Sequence, residues 1–160
     1  ESIDKVKNSI PNIHLLIVGD GPVNNNLKDM VTRLNLSNHV TFAGHRVDPV
    51  PFYKSMDVVV LPSYSGEATS QTLPQAMLMQ KPVISTNVGG LPEVVINENT
   101  GLVVQPKDSD SLVSAILRLY SDAALRDKLA KNGYKHALSL FTFKKMINTT
   151  ENVYLEVMDK

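Results

Sequence analysis

A polar loop at residues 62–71 holds the residue types that could bind a phosphorylated sugar. It follows an apolar run at 57–61 and precedes a segment with helical spacing. In its middle, Glu67 stands beside small residues that would let a ligand approach the backbone, Ala68, Thr69 and Ser70. Free amides at the start of a helix favour an anion, and a carboxylate beside them can accept hydrogen bonds from hydroxyl groups. This combination suits a sugar phosphate or a nucleotide sugar.

The same loop also fits a purely structural role. Its hydroxyl side chains could cap the following helix while Glu67 is solvated; they are Ser63, Ser65, Thr69 and Ser70. Residue types and spacing leave both interpretations open.

Three further loops place glycines or charges after apolar runs. Gly19 opens a Gly-Asp-Gly-Pro turn that could cradle a phosphate, but we favour a plain turn because the P-loop lysine and the full dinucleotide fingerprint are absent. Arg46 could contact a base or a phosphate, or it could simply be exposed. The pair Gly89 and Gly90 indicates a close backbone approach, while Glu93 could do no more than cap the next turn.

Composition argues against several other functions. The chain has 160 residues, 16 basic and 16 acidic side chains and 6% aromatic residues, which favours neither a basic face nor a stacking platform for nucleic acid. It has no cysteine, which excludes thiolate metal sites and fits a reducing compartment. No histidine pair has metal-ligand spacing and no Gly-x-Ser-x-Gly is present, so we predict neither a metal site nor nucleophilic hydrolysis.

The elements that must position these loops alternate between strands and helices. Apolar runs predict five strands, at 13–18, 39–43, 57–61, 83–85 and 101–104. Helical spacing predicts helices at 23–36, 49–56, 71–80 and 92–96, and an all-helical segment over about 108–160 with starts at Asp108 or Ser109, Asp122 and Thr142. Alternation of this kind predicts an α/β domain with a parallel sheet and right-handed crossovers. Ligands of such sheets bind beyond the carboxyl ends of the strands, where the four loops should meet.

Five segments, taken in order, resemble the C-terminal domain of family 4 retaining glycosyltransferases. They are IHLLIVGDGP, HVTFAGHR, YKSMDVVVLPS, GEATSQTLPQAMLMQKPVISTNVGGLPEVV and NTGLVVQPKDSDSLVSAI, within residues 13–116. The resemblance implies a Rossmann-like three-layer domain, one half of a GT-B fold, with a parallel sheet and a helical C-terminal segment. It implies a single nucleotide-sugar-binding domain over residues 1–160, from a longer two-domain protein whose N-terminal domain binds the acceptor. We also expect the first strand of this domain to precede the chain.

The resemblance implies a role for individual residues. The family signature is two glutamates separated by seven residues: Glu67 matches the first, near the donor sugar and its phosphates, and Gln75 stands in place of the second, which contacts the ribose. Glutamine keeps hydrogen-bonding capacity without the charge. The amides that hold the sugar and diphosphate match those of Ala68, Thr69, Ser70, Gln71 and Thr72. Arg46 falls in the loop of the base pocket; the other candidate donor contacts are Gly19, Gly89, Gly90 and Glu93.

The activity implied is transfer of a hexosyl group from a nucleotide-diphosphate sugar, with retention, to an unknown acceptor, without a metal or other cofactor. UDP-linked donors are the commonest in the family. We expect Glu67 to position and polarise the donor sugar without acting as a nucleophile, since no second carboxylate is placed opposite it. The family's diphosphate-binding cations lie near the strand that precedes this chain, so we expect the chain alone to be inactive.

Three further expectations follow from the resemblance. The intact enzyme would be cytoplasmic, with peripheral association at the inner face of the membrane left open. A nucleotide-sugar epimerase with a GT-B-like fold is a second interpretation. A non-catalytic nucleotide-sugar-binding module is a third, for which Gln75 is the hint.

Overall fold

The computed structural model describes residues 1–158 and contains every predicted element, in the predicted order. The strands are β1 (Leu15–Val18), β2 (Val40–Gly44), β3 (Val59–Leu61), β4 (Val83–Thr86) and β5 (Leu102–Val104). The helices are α1 (Ser2–Val6), α2 (Asn24–Arg33), α3 (Val50–Ser55), α4 (Thr72–Leu78), α5 (Leu91–Val94), α6 (Ser109–Ser121), α7 (Ala123–Leu140) and α8 (Phe143–Met158). Most of the strands and helices for which bounds were predicted are one or a few residues shorter than predicted. Residues 159–160 of the predicted helical tail lie outside the described part.

All strand pairs are parallel, as predicted, but they form two hydrogen-bonded groups in place of one continuous sheet. In one group β1 pairs with β2, and Leu15 lies opposite Val40. In the other, β4 lies between β3 and β5, and Ile84 is flanked by Val60 and Leu102. Within residues 1–158, the edge of β1 away from β2 and the edge of β3 away from β4 are therefore unpaired. The four residues of β1 are only half-buried.

Helices cover both faces of the three-stranded group. Val83 of β4 packs in a cluster with Leu73 of α4 and Leu91 of α5. Its neighbour Ile84 packs in a second cluster, which includes Leu119 of α6. Successive side chains of a strand point to opposite faces, and burial of both faces explains why these strands read as continuous apolar runs. The carboxyl ends of β3 and β4 are thereby held side by side.

The chain after β5 is helical, as predicted. Asp108 caps α6, accepting hydrogen bonds of 3.0 Å from two backbone N–H groups, and Asp122 caps α7 in the same way through Leu125 at 2.8 Å. Helix α8 packs against the end of α7 and leaves apolar side chains such as Val153 and Val157 exposed. None of the described helices is both long enough and apolar enough to cross a membrane.

Candidate functional site

The loop that carries Glu67 is closed by the two glycines that follow β4. The backbone N–H of Gly90 donates to the carbonyl oxygen of Glu67 at 3.3 Å. Gly89 adopts a φ of +55°, a conformation that L side chains rarely adopt. A Cβ added at Gly89 would overlap the same carbonyl oxygen, and a Cβ at Gly90 would crowd Thr69 at 3.2 Å. The predicted close approach is confirmed, and the backbone that it approaches is that of Glu67.

The Ser63 hydroxyl holds the Glu67 carboxylate at the edge of the sheet, and Ser63 is held in turn by Thr86. Ser63 Oγ donates to Glu67 Oε2 at 2.9 Å. Thr86 at the end of β4, only 2% exposed, donates its hydroxyl to the carbonyl oxygen of Ser63. The carboxylate is therefore connected through Ser63 to the buried end of the central strand. Sequence reasoning assigned Ser63 only a possible capping role and did not single out Thr86.

The segment from Ala68 to Gln71 presents its backbone amides without protein partners. Within residues 1–158, these four N–H groups donate no hydrogen bond to the protein, and Ala68, Thr69 and Gln71 are exposed. Ser70 Oγ accepts from the N–H of Thr72 at 3.2 Å, so one of the four candidate capping side chains acts at this helix start. Helix α4 has only seven residues, so any anion here would be held by the loop amides more than by a helix dipole.

Gln75 and Arg46 both contact helix α3, through adjacent aromatic residues. Gln75 is exposed, and its Oε1 accepts a hydrogen bond from the hydroxyl of Tyr53 at 3.3 Å. Tyr53 is 7% exposed, and burial raises the pKa of its phenol. The guanidinium of Arg46 lies over the ring of Phe52, 5.4 Å from its centroid. Helical spacing predicted a helix over 49–56, which contains Tyr53, but gave no sign of the bond to Gln75, because Gln75 is 22 residues away.

Gly19 and Glu93 have fewer contacts with the loop that carries Glu67. The N–H of Gly19 donates to the carbonyl oxygen of Gly44 at 2.9 Å, which connects the ends of β1 and β2. The turn after it is closed internally, because Asp20 Oδ1 accepts from Gly21 N at 2.8 Å and from Asn24 Nδ2 at 2.9 Å. The side chain of Glu93 is exposed on α5 and makes no ion pair within residues 1–158.

A cation and a cavity also lie beside the Glu67 loop. The ammonium of Lys107, which follows β5, lies 5.1 Å from the ring centroid of Tyr64 in that loop. An open cavity of about 630 Å³ separates the same loop from α8, and it is lined by Thr69, Ser70, Gln71, Phe141 and Phe143 among others. Sequence reasoning singled out neither feature. Among residues 1–158, no group of three or more His, Asp or Glu side chains could hold a metal ion.

Comparison of the sequence with known proteins identifies one family. The profile described as Glycosyl transferases group 1 matches residues 1–136. An uncharacterized glycosyltransferase of Methanocaldococcus jannaschii is 33% identical over 150 residues, which are 92% of this chain. The chain spans only 38% of that relative's length.

Solved structures share the fold over nearly the whole chain. Sucrose-phosphate synthase of Thermosynechococcus elongatus superposes with a TM-score of 0.86 at 32% identity, covering 99% of this chain and 42% of its own. HepE of Anabaena in complex with UDP superposes with a TM-score of 0.85 at 24% identity, covering 99% and 44%. HepE has also been solved in complex with UDP-glucose.

Proposed function

The chain belongs to the glycosyl transferases group 1 family, and on that premise we propose that it is the donor-binding domain of a retaining hexosyltransferase. In this proposal residues 1–160 form a single Rossmann-like domain with a helical C-terminal segment. The site at the carboxyl edge of the strands receives a nucleotide-diphosphate sugar. The crystallised complexes of HepE with UDP and UDP-glucose support UDP as the first nucleotide to test.

The observation that carries the proposal is the closure of Gly89 and Gly90 onto the backbone of Glu67. Any side chain at Gly89 would displace the carbonyl of Glu67, so both glycines serve to keep that loop in place. The closed loop combines an oriented carboxylate with a run of amides that lack protein partners. A carboxylate accepts from sugar hydroxyls, and free amides donate to phosphate oxygens. A nucleotide-diphosphate sugar needs both kinds of contact.

The remaining contacts are distributed along the donor. We assign the diphosphate and sugar to the amides of residues 68–72, the ribose to Gln75 and the base to the loop around Arg46. Gly89, Gly90 and Glu93 line the cleft on the sugar side. Gly19, whose N–H is already bonded to the carbonyl oxygen of Gly44, is kept as a contact of the donor phosphates only. Neither metal nor other cofactor takes part in the proposed reaction.

The proposed chemistry is replacement of the diphosphate at the anomeric carbon by the acceptor oxygen, on the face from which the diphosphate leaves. The bond from the anomeric carbon to the diphosphate oxygen breaks, a bond to the acceptor oxygen forms, and the acceptor proton leaves with the departing diphosphate. Glu67 accepts from hydroxyls of the donor sugar and so fixes its orientation. Fixed hydrogen-bond groups lower the barrier because they need no reorganisation during the reaction.

We propose that the active protein has a second domain that binds the acceptor. The chain spans about two fifths of the relatives it matches, 38% in one case and 42% in another, which supports a larger protein. The edges of β1 and β3 that are unpaired within the described residues support a further strand between the two groups, and the resemblance places the family's diphosphate-binding cations near that strand. The 160-residue chain alone would therefore bind donor weakly and transfer no sugar.

The location of the reaction is part of the same proposal. Absence of cysteine is compatible with a reducing compartment, and we place the intact enzyme in the cytoplasm. Peripheral association with the inner face of the membrane would bring it to a membrane-bound acceptor, and fractionation of cells expressing the full-length protein tests this.

Calorimetric titration of the full-length protein with UDP, GDP and ADP tests the donor site. Saturable binding of at least one nucleotide is expected, and Glu67→Gln should weaken the binding of the sugar-linked form more than that of the free diphosphate. Product analysis then identifies the reaction: an α-linked product from an α-linked donor supports retaining transfer. Release of an epimerised sugar would identify an epimerase, and absence of any nucleotide binding would overturn the proposed donor site.

A further inference from the structure

We infer that Tyr53 is the positioning residue of the ribose contact, because its hydroxyl occupies Gln75 Oε1 and leaves the Nε2 amide group as the one presented to the donor. The inference rests on the proposed function. It concerns two residues that lie 22 positions apart and meet where the Tyr53 side chain of α3 packs in the core cluster with residues of α4.

Tyr53 is suited to hold another side chain in place because its own ring is immobilised. The ring lies in the core cluster with Leu73, Ala76 and Met77 of α4, and only 7% of the residue is exposed. Gln75 is exposed on the same helix and would be free to rotate without a partner. The 3.3 Å hydrogen bond connects the rigid phenol to this flexible amide. A side chain that is already oriented loses less conformational freedom when a ligand binds.

The direction of the hydrogen bond decides which end of the amide faces the ligand. Burial raises the pKa of the Tyr53 phenol, so the phenol is protonated at neutral pH and can donate. The acceptor is Gln75 Oε1, so both N–H groups of the amide remain for the ligand. A ribose hydroxyl would then accept from Gln75 through its oxygen. A carboxylate at this position could only accept, whereas the amide of Gln75 can also donate to the ribose.

Phe52, the residue before Tyr53, gives α3 a similar positioning role at the base of the donor nucleotide. Phe52 lies beneath the guanidinium of Arg46, so consecutive aromatic residues of one helix contact the proposed base and ribose residues. The separation between these two contacts is therefore set by α3. This provides a control, because a substitution at Phe52 should disturb the base contact and leave the ribose contact intact.

Binding of UDP and of 2′,3′-dideoxy-UDP to the full-length protein and its variants tests the inference. Tyr53→Phe removes one oxygen and keeps the ring. We expect it to weaken UDP binding about 3- to 10-fold, the range for loss of one neutral hydrogen bond, and to leave the affinity for dideoxy-UDP unchanged. In a Gln75→Ala background, Tyr53→Phe should have no further effect. Phe52→Leu should weaken both nucleotides to the same extent.

The outcomes distinguish failure of this inference from failure of the proposed function. UDP binding that is unaffected by Tyr53→Phe would overturn the positioning role and leave the donor site intact. Equal loss for UDP and dideoxy-UDP in Tyr53→Phe would also overturn it, since a general disturbance of α3 acts on both. Failure of the wild-type protein to bind any nucleotide would overturn the proposed function, and the inference with it.

Discussion

At the scale of single residues, the Glu67 carboxylate depends on Ser63 more than on the other three hydroxyl side chains of the loop. Among residues 1–158, the hydrogen bond to this carboxylate is the 2.9 Å bond from Ser63 Oγ. Ser63 itself is attached through its carbonyl oxygen to Thr86, whose side chain is buried at the end of β4. A hydrogen bond to a charged group contributes about 1.5–3 kcal/mol.

Substitution of Ser63 by alanine tests this dependence. Ser63→Ala leaves the backbone bond to Thr86 in place and removes only the hydroxyl that orients Glu67, so we expect kcat/KM of the full-length enzyme to fall about tenfold or more. Ser65→Ala is the matched control, because Ser65 lies exposed in the same loop. Equal rates for the two variants in a steady-state assay would show that Glu67 does not depend on Ser63.

Substitution of Gln75 by glutamate tests the polarity of the ribose contact. In Gln75→Glu the Tyr53 hydroxyl can still donate to one oxygen, while the other oxygen accepts from the ribose with full charge. Charge-assisted hydrogen bonds are roughly twice as strong as neutral ones, so we expect UDP to bind about threefold more tightly. Calorimetry measures the change, and dideoxy-UDP should show no gain. Weaker binding of UDP would contradict the assignment of Gln75 to the ribose.

Residue types and spacing alone predict part of this site. Glu67 and the glycine pair stood out because a loop after a buried strand needs small residues for a close approach. The contact between Glu67 and the glycine pair was not predictable, because sequence spacing indicates which face of an element a residue lies on and not the distance between two loops. Ser63, Thr86 and Tyr53 were missed as site residues for the same reason: each acts through a partner on another element.

At the scale of elements, the helix starts show which local signals are reliable. Asp108, one of the two residues predicted to open α6, and Asp122, predicted to open α7, both cap their helices, because an Asx side chain that accepts from nearby backbone N–H groups is a local interaction. For helix α4 a hydroxyl cap was one of two open interpretations, and its N-cap residue, Gln71, makes no side-chain cap. The amides of residues 68–71 thus remain available at the proposed site.

Removal of the α7 cap tests how firmly the helical segment supports the domain. Helix α7 packs on α4, which carries Gln75, and Gly133 of α7 lies against Met77. Asp122→Ala should reduce the free energy of unfolding by about 1 kcal/mol, since it frees the N–H of Leu125. Asp127→Ala, on the exposed side of the same helix, is the control and should change it by less than about 0.5 kcal/mol. Urea denaturation measures both; equal effects would contradict the capping role.

At the scale of the whole molecule, strand order and helix order were predictable because alternation of apolar runs with helical spacing leaves few topologies open. The division of the strands into two hydrogen-bonded groups was not predictable from the sequence. The pattern shows that β1 and β3 are both strands suited to burial, but pairing depends on which strand lies beside them. The effect of the missing neighbour is visible in β1, whose four residues are only half-buried. A further strand between β1 and β3 would bury both edges.

The central claim is that the Glu67 loop binds a nucleoside diphosphate, and mapping of amide chemical shifts tests it most directly. Titration of the ¹⁵N-labelled chain with UDP up to millimolar concentration should give saturable shifts at Glu67, at residues 68–72 and at Gly89 and Gly90. Gly89→Ala should abolish these shifts because its Cβ displaces the Glu67 carbonyl, whereas Gly21→Ala, with open space around the added Cβ, should preserve them. Shifts confined to other loops, or identical behaviour of the two glycine variants, would contradict the claim.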